Sequence, residues 1–228
     1  LLYKTGDNGQ MELVYSEANE KVFYDSMEFW NAEEGIAMGD PTENCLSIII
    51  TRDGGKSWNK IPCSELPETV EGEAAFAASD SNIALYGNNA WIITGGMDAR
   101  VFHSGDKGKT WEVYSTPIIS GEPTTGAYSV DFYDEKNGII IGGDYTKPEG
   151  NSANKAMTTD GGKTWSLVAD GADPGYKSSV RYIPGGDAKE RGRVPGGDPG
   201  SQGRRPAHRP QRPEGWGRRG RRRRPASE

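Results

Sequence analysis

Thr158-Thr159-Asp160-Gly161-Gly162-Lys163-Thr164-Trp165 decides how this chain is read, because the same pattern occurs three times. Thr51-Arg52-Asp53-Gly54-Gly55-Lys56-Ser57-Trp58 and Ser104-Gly105-Asp106-Lys107-Gly108-Lys109-Thr110-Trp111 superpose on it without gaps. All three read Ser/Thr-x-Asp-x-Gly-x-Ser/Thr-Trp, and Asp53, Asp106 and Asp160 stand 53 and 54 residues apart. A degraded fourth copy opens the chain at Thr5-Gly6-Asp7-Asn8-Gly9, with Met11 and Glu12 in place of the Thr-Trp ending. A fixed period slightly above roughly 40 to 50 residues marks an array of like structural units.

A second pattern lies upstream of each box. Ser26-Met27-Glu28-Phe29 leads to Gly35-Ile36-Ala37-Met38-Gly39-Asp40, and Ser129-Val130-Asp131-Phe132 leads to Gly138-Ile139-Ile140-Ile141-Gly142-Gly143-Asp144, with the same Phe-to-Gly offset. The middle repeat is looser: Ile83-Ala84-Leu85, then Trp91-Ile92-Ile93-Thr94-Gly95-Gly96 and Asp98. Each period thus holds about four short β-branched or aromatic runs separated by Gly, Asn and Asp, without helical periodicity. Four short antiparallel strands per repeat make a propeller blade. The expected fold is all-β, a partial β-propeller of three near-complete blades plus two fragments. Each blade has strands A to D, with the box as the C-to-D turn. Ile48-Ile49-Ile50 falls on strand C, Trp58 starts strand D, and Ser178–Tyr182 begins a further strand A.

The box residues have local work to do. A tight turn leaves backbone N–H groups without ladder partners, and an Asp carboxylate accepts several of them. This is the reading of Asp53, Asp106 and Asp160. Gly55, Gly108 and Gly162 supply positive φ, the hydroxyls add hydrogen bonds, and Trp58, Trp111 and Trp165 pack across their blades. Arg52 occupies a turn position that demands no particular side chain. Recurrence argues against catalysis, which needs a unique constellation. One carboxylate per box also falls short of the six to eight oxygens that Ca²⁺ takes, so no metal is expected.

Composition divides the chain. Residues 1–184 carry 14 Lys and Arg against 28 Asp and Glu, a net of −14, whereas residues 185–228 carry 13 against 5, a net of +8. Residues 1–184 are expected to be the partial propeller and residues 185–228 a disordered Arg/Gly/Pro-rich tail. The tail is read as an out-of-frame or chimaeric end, because a repeat stops partway through a blade, or else as a native basic extension. An acidic body excludes a phosphate-backbone partner for the folded part. No apolar run approaches the roughly 20 residues of a membrane helix, and the sequence opens without Met at Leu1-Leu2-Tyr3, so the natural N-terminus, with any export signal, is expected to lie outside it.

The box, preceded by the Phe-x₅-Gly-x₃-Gly unit, resembles the BNR/Asp-box β-propellers. Over roughly residues 3–184 the chain is most similar to the Ycf48-like photosystem II assembly-factor branch and its relatives in non-photosynthetic bacteria. The resemblance implies a propeller located outside the cytoplasm: periplasmic, secreted or surface-anchored. Sialidases, other glycoside hydrolases and sortilin-like receptors share the box, so it specifies fold far better than function. The assembly-factor branch carries an Arg-rich patch, whereas this body holds only Arg52, Arg100 and Arg181. That departure argues against a photosynthetic role, and too few Arg remain for a sialidase triad. No Gly-x-Gly-x-x-Gly follows a strand, so no cofactor is expected.

Two further features concern sites. Asp40, Asp98 and Asp144 end or follow the B strands, and are read either as caps of their own loops or as an acidic rim that binds a cationic partner or ion. Cys45 and Cys63 are symmetric about Gly54, which places them nearly opposite across strands C and D at about 4.5 to 5.5 Å, within disulfide range. The alternative is two free thiols. His103 borders a turn and His208 lies in the tail, which leaves no His-based triad or zinc cluster. The functional expectation is an exported, non-catalytic propeller that binds a protein or glycan on its loop face. The rival is a glycoside hydrolase of a sialidase-like or related Asp-box propeller family, whose paired catalytic carboxylates are expected to lie partly in blades beyond this sequence.

Overall fold

The computed structural model describes residues 1–183, so the expectations for residues 185–228 lie outside the described residues. The chain begins with a hairpin of β1 (Leu2–Thr5) and β2 (Met11–Tyr15), turned through the degraded box. The first blade consists of β3 (Tyr24–Phe29), β4 (Gly35–Gly39), β5 (Ser47–Thr51) and β6 (Asn59–Lys60). β7 (Glu73–Ala74) lies in the connection that follows, between 3₁₀ turns at Cys63–Glu65 and Ala77–Ser79. The second blade is β8 (Ile83–Tyr86), β9 (Asn89–Ile93), β11 (Arg100–Ser104) and β12 (Glu112–Ser115), with β10 (Gly95–Gly96) between β9 and β11. The third is β13 (Thr125–Phe132), β14 (Gly138–Asp144), β15 (Lys155–Thr158) and β16 (Ser166–Leu167). Each blade pairs its strands in sequence order and antiparallel, as the repeat requires.

The blades stack through cores on both faces. Along β5, Ile48 and Ile50 join one cluster with Ile83, Ile92 and Phe102 of the second blade. Ile49, pointing the other way, joins Trp58 and the hairpin's Leu2 and Val14. A strand buried on both faces has no polar side, so β4 and β5 read as unbroken apolar or small runs rather than alternating ones. Between the second and third blades the Trp91 and Phe132 rings stack at 3.6 Å and 7°.

The Phe-x₅-Gly unit has a steric origin. Phe29 pairs with Gly35 across β3 and β4, and Phe132 with Gly138 across β13 and β14. Each ring lies flat on its glycine: a Cβ at Gly35 would fall 2.7 Å from Phe29 Cδ1, and one at Gly138 2.6 Å from Phe132 Cε1. The ring then meets the box Trp edge-on, Phe29 with Trp58 at 5.9 Å and Phe132 with Trp165 at 6.0 Å. In the looser middle repeat the corresponding pair is Leu85 and Ala90. A smaller side chain over the strand leaves room for a methyl beneath it.

Three expectations are corrected. Trp58 precedes strand D, which starts at Asn59, because its ring turns inward to the core. Ser178–Tyr182 does not join a ladder as strand A, since no strand B stands beside it among the described residues. It lies along β13 through side chains, with Val180 N–H donating to Ser129 Oγ at 3.0 Å and Tyr182 N–H to Asp131 Oδ2 at 2.5 Å. Finally, β7 and β10 extend the third blade's sheet to six strands. Gly95 and Gly126 pair there, and a Cβ at Gly95 would fall 2.9 Å from Gly126 Cα, so glycine is required where the two backbones meet.

Replacing Gly138 with Ala forces the Phe132 ring off its seat and is expected to cost about 1–3 kcal/mol, the range for overpacked cores. Ala90→Gly, where Leu85 leaves space, is expected to cost no more than about 1 kcal/mol from lost strand propensity. Urea unfolding of the two variants checks this, and equal losses would contradict the ring-on-glycine account.

Candidate functional site

The box face is built from three copies of one hydrogen-bonded turn. In each, the leading hydroxyl donates to the Asp carboxylate: Thr51 to Asp53 at 2.9 Å, Ser104 to Asp106 at 2.9 Å and Thr158 to Asp160 at 2.8 Å. The same hydroxyl oxygen accepts the Gly55, Gly108 or Gly162 N–H at 2.9, 2.7 and 3.0 Å. Each carboxylate then takes two backbone N–H groups and a hydroxyl from the residues that follow; Asp160 accepts from Lys163 and Thr164 N–H and from Thr164 Oγ1. The donors lower all three carboxyls to about 2. At Asp53 the Ser57 hydroxyl is the largest cause. At Asp106 and Asp160 desolvation pulls upward, and the donors of Thr110 and Thr164 outweigh it. A carboxylate that takes three donors on one oxygen and one on the other from its own box acts as a turn clamp.

One carbonyl in each turn locks the blade to its predecessor. Gly54 O accepts Lys4 Nζ at 2.8 Å, Lys107 O accepts Arg52 Nη2, and Gly161 O accepts Trp91 Nε1 at 2.8 Å. Arg52 is therefore not the free turn position its sequence suggests. It also pairs with Glu34 at 3.2 Å and lies over the Trp30 ring at 5.6 Å. Arg100 is held by Glu73, and Arg181 lies 3.9 Å from Glu28 and 3.7 Å from Asp131. Every Arg of the described residues has an acidic neighbour within the protein.

The opposite, loop face carries the three aspartates singled out from sequence, and the register separates them. Gly35, Ala90 and Gly138 each face the box hydroxyl residue, Thr51, Ser104 or Thr158. Counted from those anchors, Asp40, Asp98 and Asp144 lie five, eight and six positions on, so they do not form one ring of equivalent sites. Each also has a local partner. Asp40 Oδ1 accepts Ala75 N–H at 2.9 Å, and Asp98 Oδ1 accepts Ala99 N–H at 2.8 Å. Asp144 accepts Thr146 N–H and Oγ1 and pairs with Lys147 at 3.1 Å. The Thr146 hydroxyl holds the Asp144 carboxyl well below the usual range.

Two hollows open on this face. The larger, about 570 Å³, lies between residues 40–44 and 69–74, with Lys21 at its side. The smaller, about 300 Å³, lies beside Asp144, Lys147 and Asn151. The walls of the larger are fixed. Cys45 and Cys63 are joined as a disulfide with Cα atoms 5.5 Å apart, and Thr69 N–H donates to Asn44 O at 2.8 Å. The ladder pairs Ile49 with Lys60 and Ile50 with Asn59, which places Cys63 opposite Leu46 rather than Cys45. The two Cys thus lie just beyond the strand ends, one step out of register. The bridge ties the loop after β4 to the connection after β6.

Sequence reading missed Asp25. It sits at a bulge in β3 and is 8 % exposed, and its Oδ2 has no hydrogen-bond partner. Burial, reinforced by the charge of Asp40, raises its carboxyl to about 7. The equivalent bulge of β13 holds Tyr128, stacked on Phe76 at 3.9 Å and edge-on to Tyr145 and Tyr176. An Asp where the sister repeat has Tyr was the available signal: a carboxylate that the repeat does not explain. His103, half-buried on β11, hydrogen-bonds Asn89 through Nε2 at 2.8 Å and stacks on Trp91 at 5.4 Å. Among the described residues no three His, Cys, Asp or Glu side chains converge to hold a metal ion, and no helix is long and apolar enough to cross a membrane.

Thr158→Val keeps the shape of the box but leaves Gly162 N–H without its acceptor; the expected cost is about 1–3 kcal/mol in urea unfolding. For Asp25 the folded value lies above the ordinary 3.8. The folded state therefore binds the extra proton between about pH 4 and 7, and its stability falls as pH rises through that window. Asp25→Asn is expected to raise the melting temperature at pH 8 by about 2–4 °C per kcal/mol recovered, and to have little effect at pH 4. A shift of the same size at both pH values would refute this assignment.

The BNR/Asp-box repeat family matches residues 156–167, the third box with its flanking strands. The chain is similar to several solved structures, three of which follow. "YCF48 bound to D1 peptide" shares 21 % identity at a TM-score of 0.43, covering 63 % of this chain and 38 % of that one. "YCF48 from Cyanidioschyzon merolae" shares 19 % at 0.44, covering 66 % and 41 %. An ancestral GH74 enzyme shares 18 % at 0.48, covering 75 % and 21 %. The chain spans less than half the length of each. No curated protein matches the sequence. With one box matched by the family and two more built to the same geometry, the chain carries BNR/Asp-box repeats on the blades of a β-propeller.

Proposed function

We propose that this protein is a non-catalytic binding scaffold working outside the cytoplasm, whose loop face receives a protein or glycan partner. The observation that carries the reading is the contrast between the two faces. On the box face every repeated carboxylate is engaged by its own turn, whereas the loop face holds a preformed groove of about 570 Å³ whose walls do not repeat from blade to blade. Preformed concavities with unrepeated lining are where ligands bind on repeat folds. The disulfide supports an oxidising compartment.

Asp25 favours a second reading. A carboxyl held near neutrality beside Asp40 resembles the pairing of one protonated and one ionised carboxylate in glycoside hydrolases. Against it, Asp25 is buried behind the groove wall rather than on its surface.

Screening the purified chain against glycan and peptide arrays separates the readings. The scaffold predicts retention of a ligand, lost on Val70→Arg in the groove and kept on Lys163→Glu at the box turn, with no release of reducing sugar. Reducing sugar released by the wild type and abolished by Asp25→Asn would replace the scaffold with the hydrolase.

A further inference from the structure

We infer that the loop-face groove docks an extended basic segment of a partner polypeptide, whose Lys or Arg side chains are set against Asp40, Glu43 and Glu71. The inference rests on the loop face being the binding face and names the chemistry of what binds there.

Charge is the first argument. Asp40, Glu43, Glu71 and Glu73 line the groove against Lys21 alone. Glu73 already has a partner: its buried carboxylate takes Arg100 Nε at 3.1 Å and Thr94 Oγ1 at 2.5 Å. Three carboxylates therefore face one ammonium. The second argument comes from behind the wall. Asp25, more than nine-tenths buried, is close enough to Asp40 to feel its charge, and its Oδ2 has no donor. The groove carboxylates thus outnumber the one ammonium of Lys21, and a cationic ligand would balance the excess.

The spacing of the carboxylates selects the kind of cation. No three of them converge on one point, as a single hard ion would require. Separated carboxylates suit separated ammonium or guanidinium groups along an extended chain. The lining contains no aromatic ring, the usual platform for a sugar face. Polypeptide is therefore favoured over glycan. The walls are also preorganised by Cys45–Cys63, by Thr69 N–H on Asn44 O and by Ala75 N–H on Asp40, which limits the ordering that binding must supply.

Fluorescence anisotropy of the full chain with a labelled peptide of alternating Lys and Ser tests this. Binding is expected to weaken between ~50 and ~200 mM salt, as screening requires. It should also weaken by about tenfold or more in Glu43→Gln/Glu71→Gln, and be unchanged in Glu12→Gln/Glu33→Gln, where exposed carboxylates lie away from the groove. Circular dichroism and melting temperature matching the wild type show that the variants fold. No binding of the basic peptide, or equal weakening in both double variants, overturns the proposal. A labelled Glu-Ser peptide and a neutral oligosaccharide distinguish the levels of failure. If either binds and is lost on Val70→Arg, the basic-peptide assignment falls and the loop face stands. If every ligand binds independently of groove substitutions, the loop-face reading falls too.

Discussion

One peptide unit per blade holds the stack together. The N–H of Gly54, Lys107 and Gly161 donates to the turn between the first two strands of its own blade, at Glu33, Asn88 and Lys136. The carbonyl of the same residue accepts a donor from the preceding blade. Serving two masters in opposite directions requires the left-handed backbone, with φ of 72°, 60° and 80°. Glycine meets that requirement freely; Lys107 meets it against a penalty of roughly 1–2 kcal/mol. The box carboxylate makes this affordable, because it satisfies the other N–H groups of the turn and fixes its shape. The donors differ, as ammonium, guanidinium and indole, while the acceptor position does not.

The same economy explains where chemistry is available. Both faces of the first two blades and one face of the third are committed to inter-blade cores, and the box turns are committed to themselves. Only the loop face is free of the repeat, and there the blades diverge. The first two are linked by a long connection whose β7 pairs with β10, and Gly95 of β10 in turn meets Gly126 of the third blade, glycine against glycine. Asp25 and Tyr128 occupy equivalent bulges with opposite chemistry. One leaves a buried carboxyl beside an acidic groove and the other seeds a four-ring aromatic cluster. Function in such a molecule is read from departures from the repeat.

The acidic character of the body has a structural counterpart as well. Arg52, Arg100 and Arg181 are each engaged with carboxylates, and Arg100 with Glu73 forms a nearly dry pair that anchors the connection beneath the groove. Removing one member of such a pair strands a buried charge, which is why pairs of this kind are hard to lose even where they add little net stability. With its arginines engaged in this way, carboxylates outnumber free basic groups on the surface, and three of them line the groove.

Much of this was legible in one dimension. The box fixes a turn because its hydroxyl, carboxylate and glycine act within a few residues of one another, so three copies at a constant period are enough to place blades, strand C and the Phe-x₅-Gly seat. The equivalence of Glu28, Ala84 and Asp131 on the inner strands also follows from counting, and the ladders preserve it. What counting could not give was anything that depends on a bulge, a neighbouring blade or a connection without period. Asp40, Asp98 and Asp144 look alike in sequence but differ in register by up to three positions. Arg52 looks free but bridges to Lys107, and Cys63 lies one step from the position that symmetry about the turn assigns. Asp25 carries no motif; its burial, and the charge of Asp40 beside it, exist only once β3 and β4 are paired. Local hydrogen bonding writes the blade into the sequence, whereas electrostatics and concavity arise from residues brought together across tens of positions, and those only the tertiary structure decides.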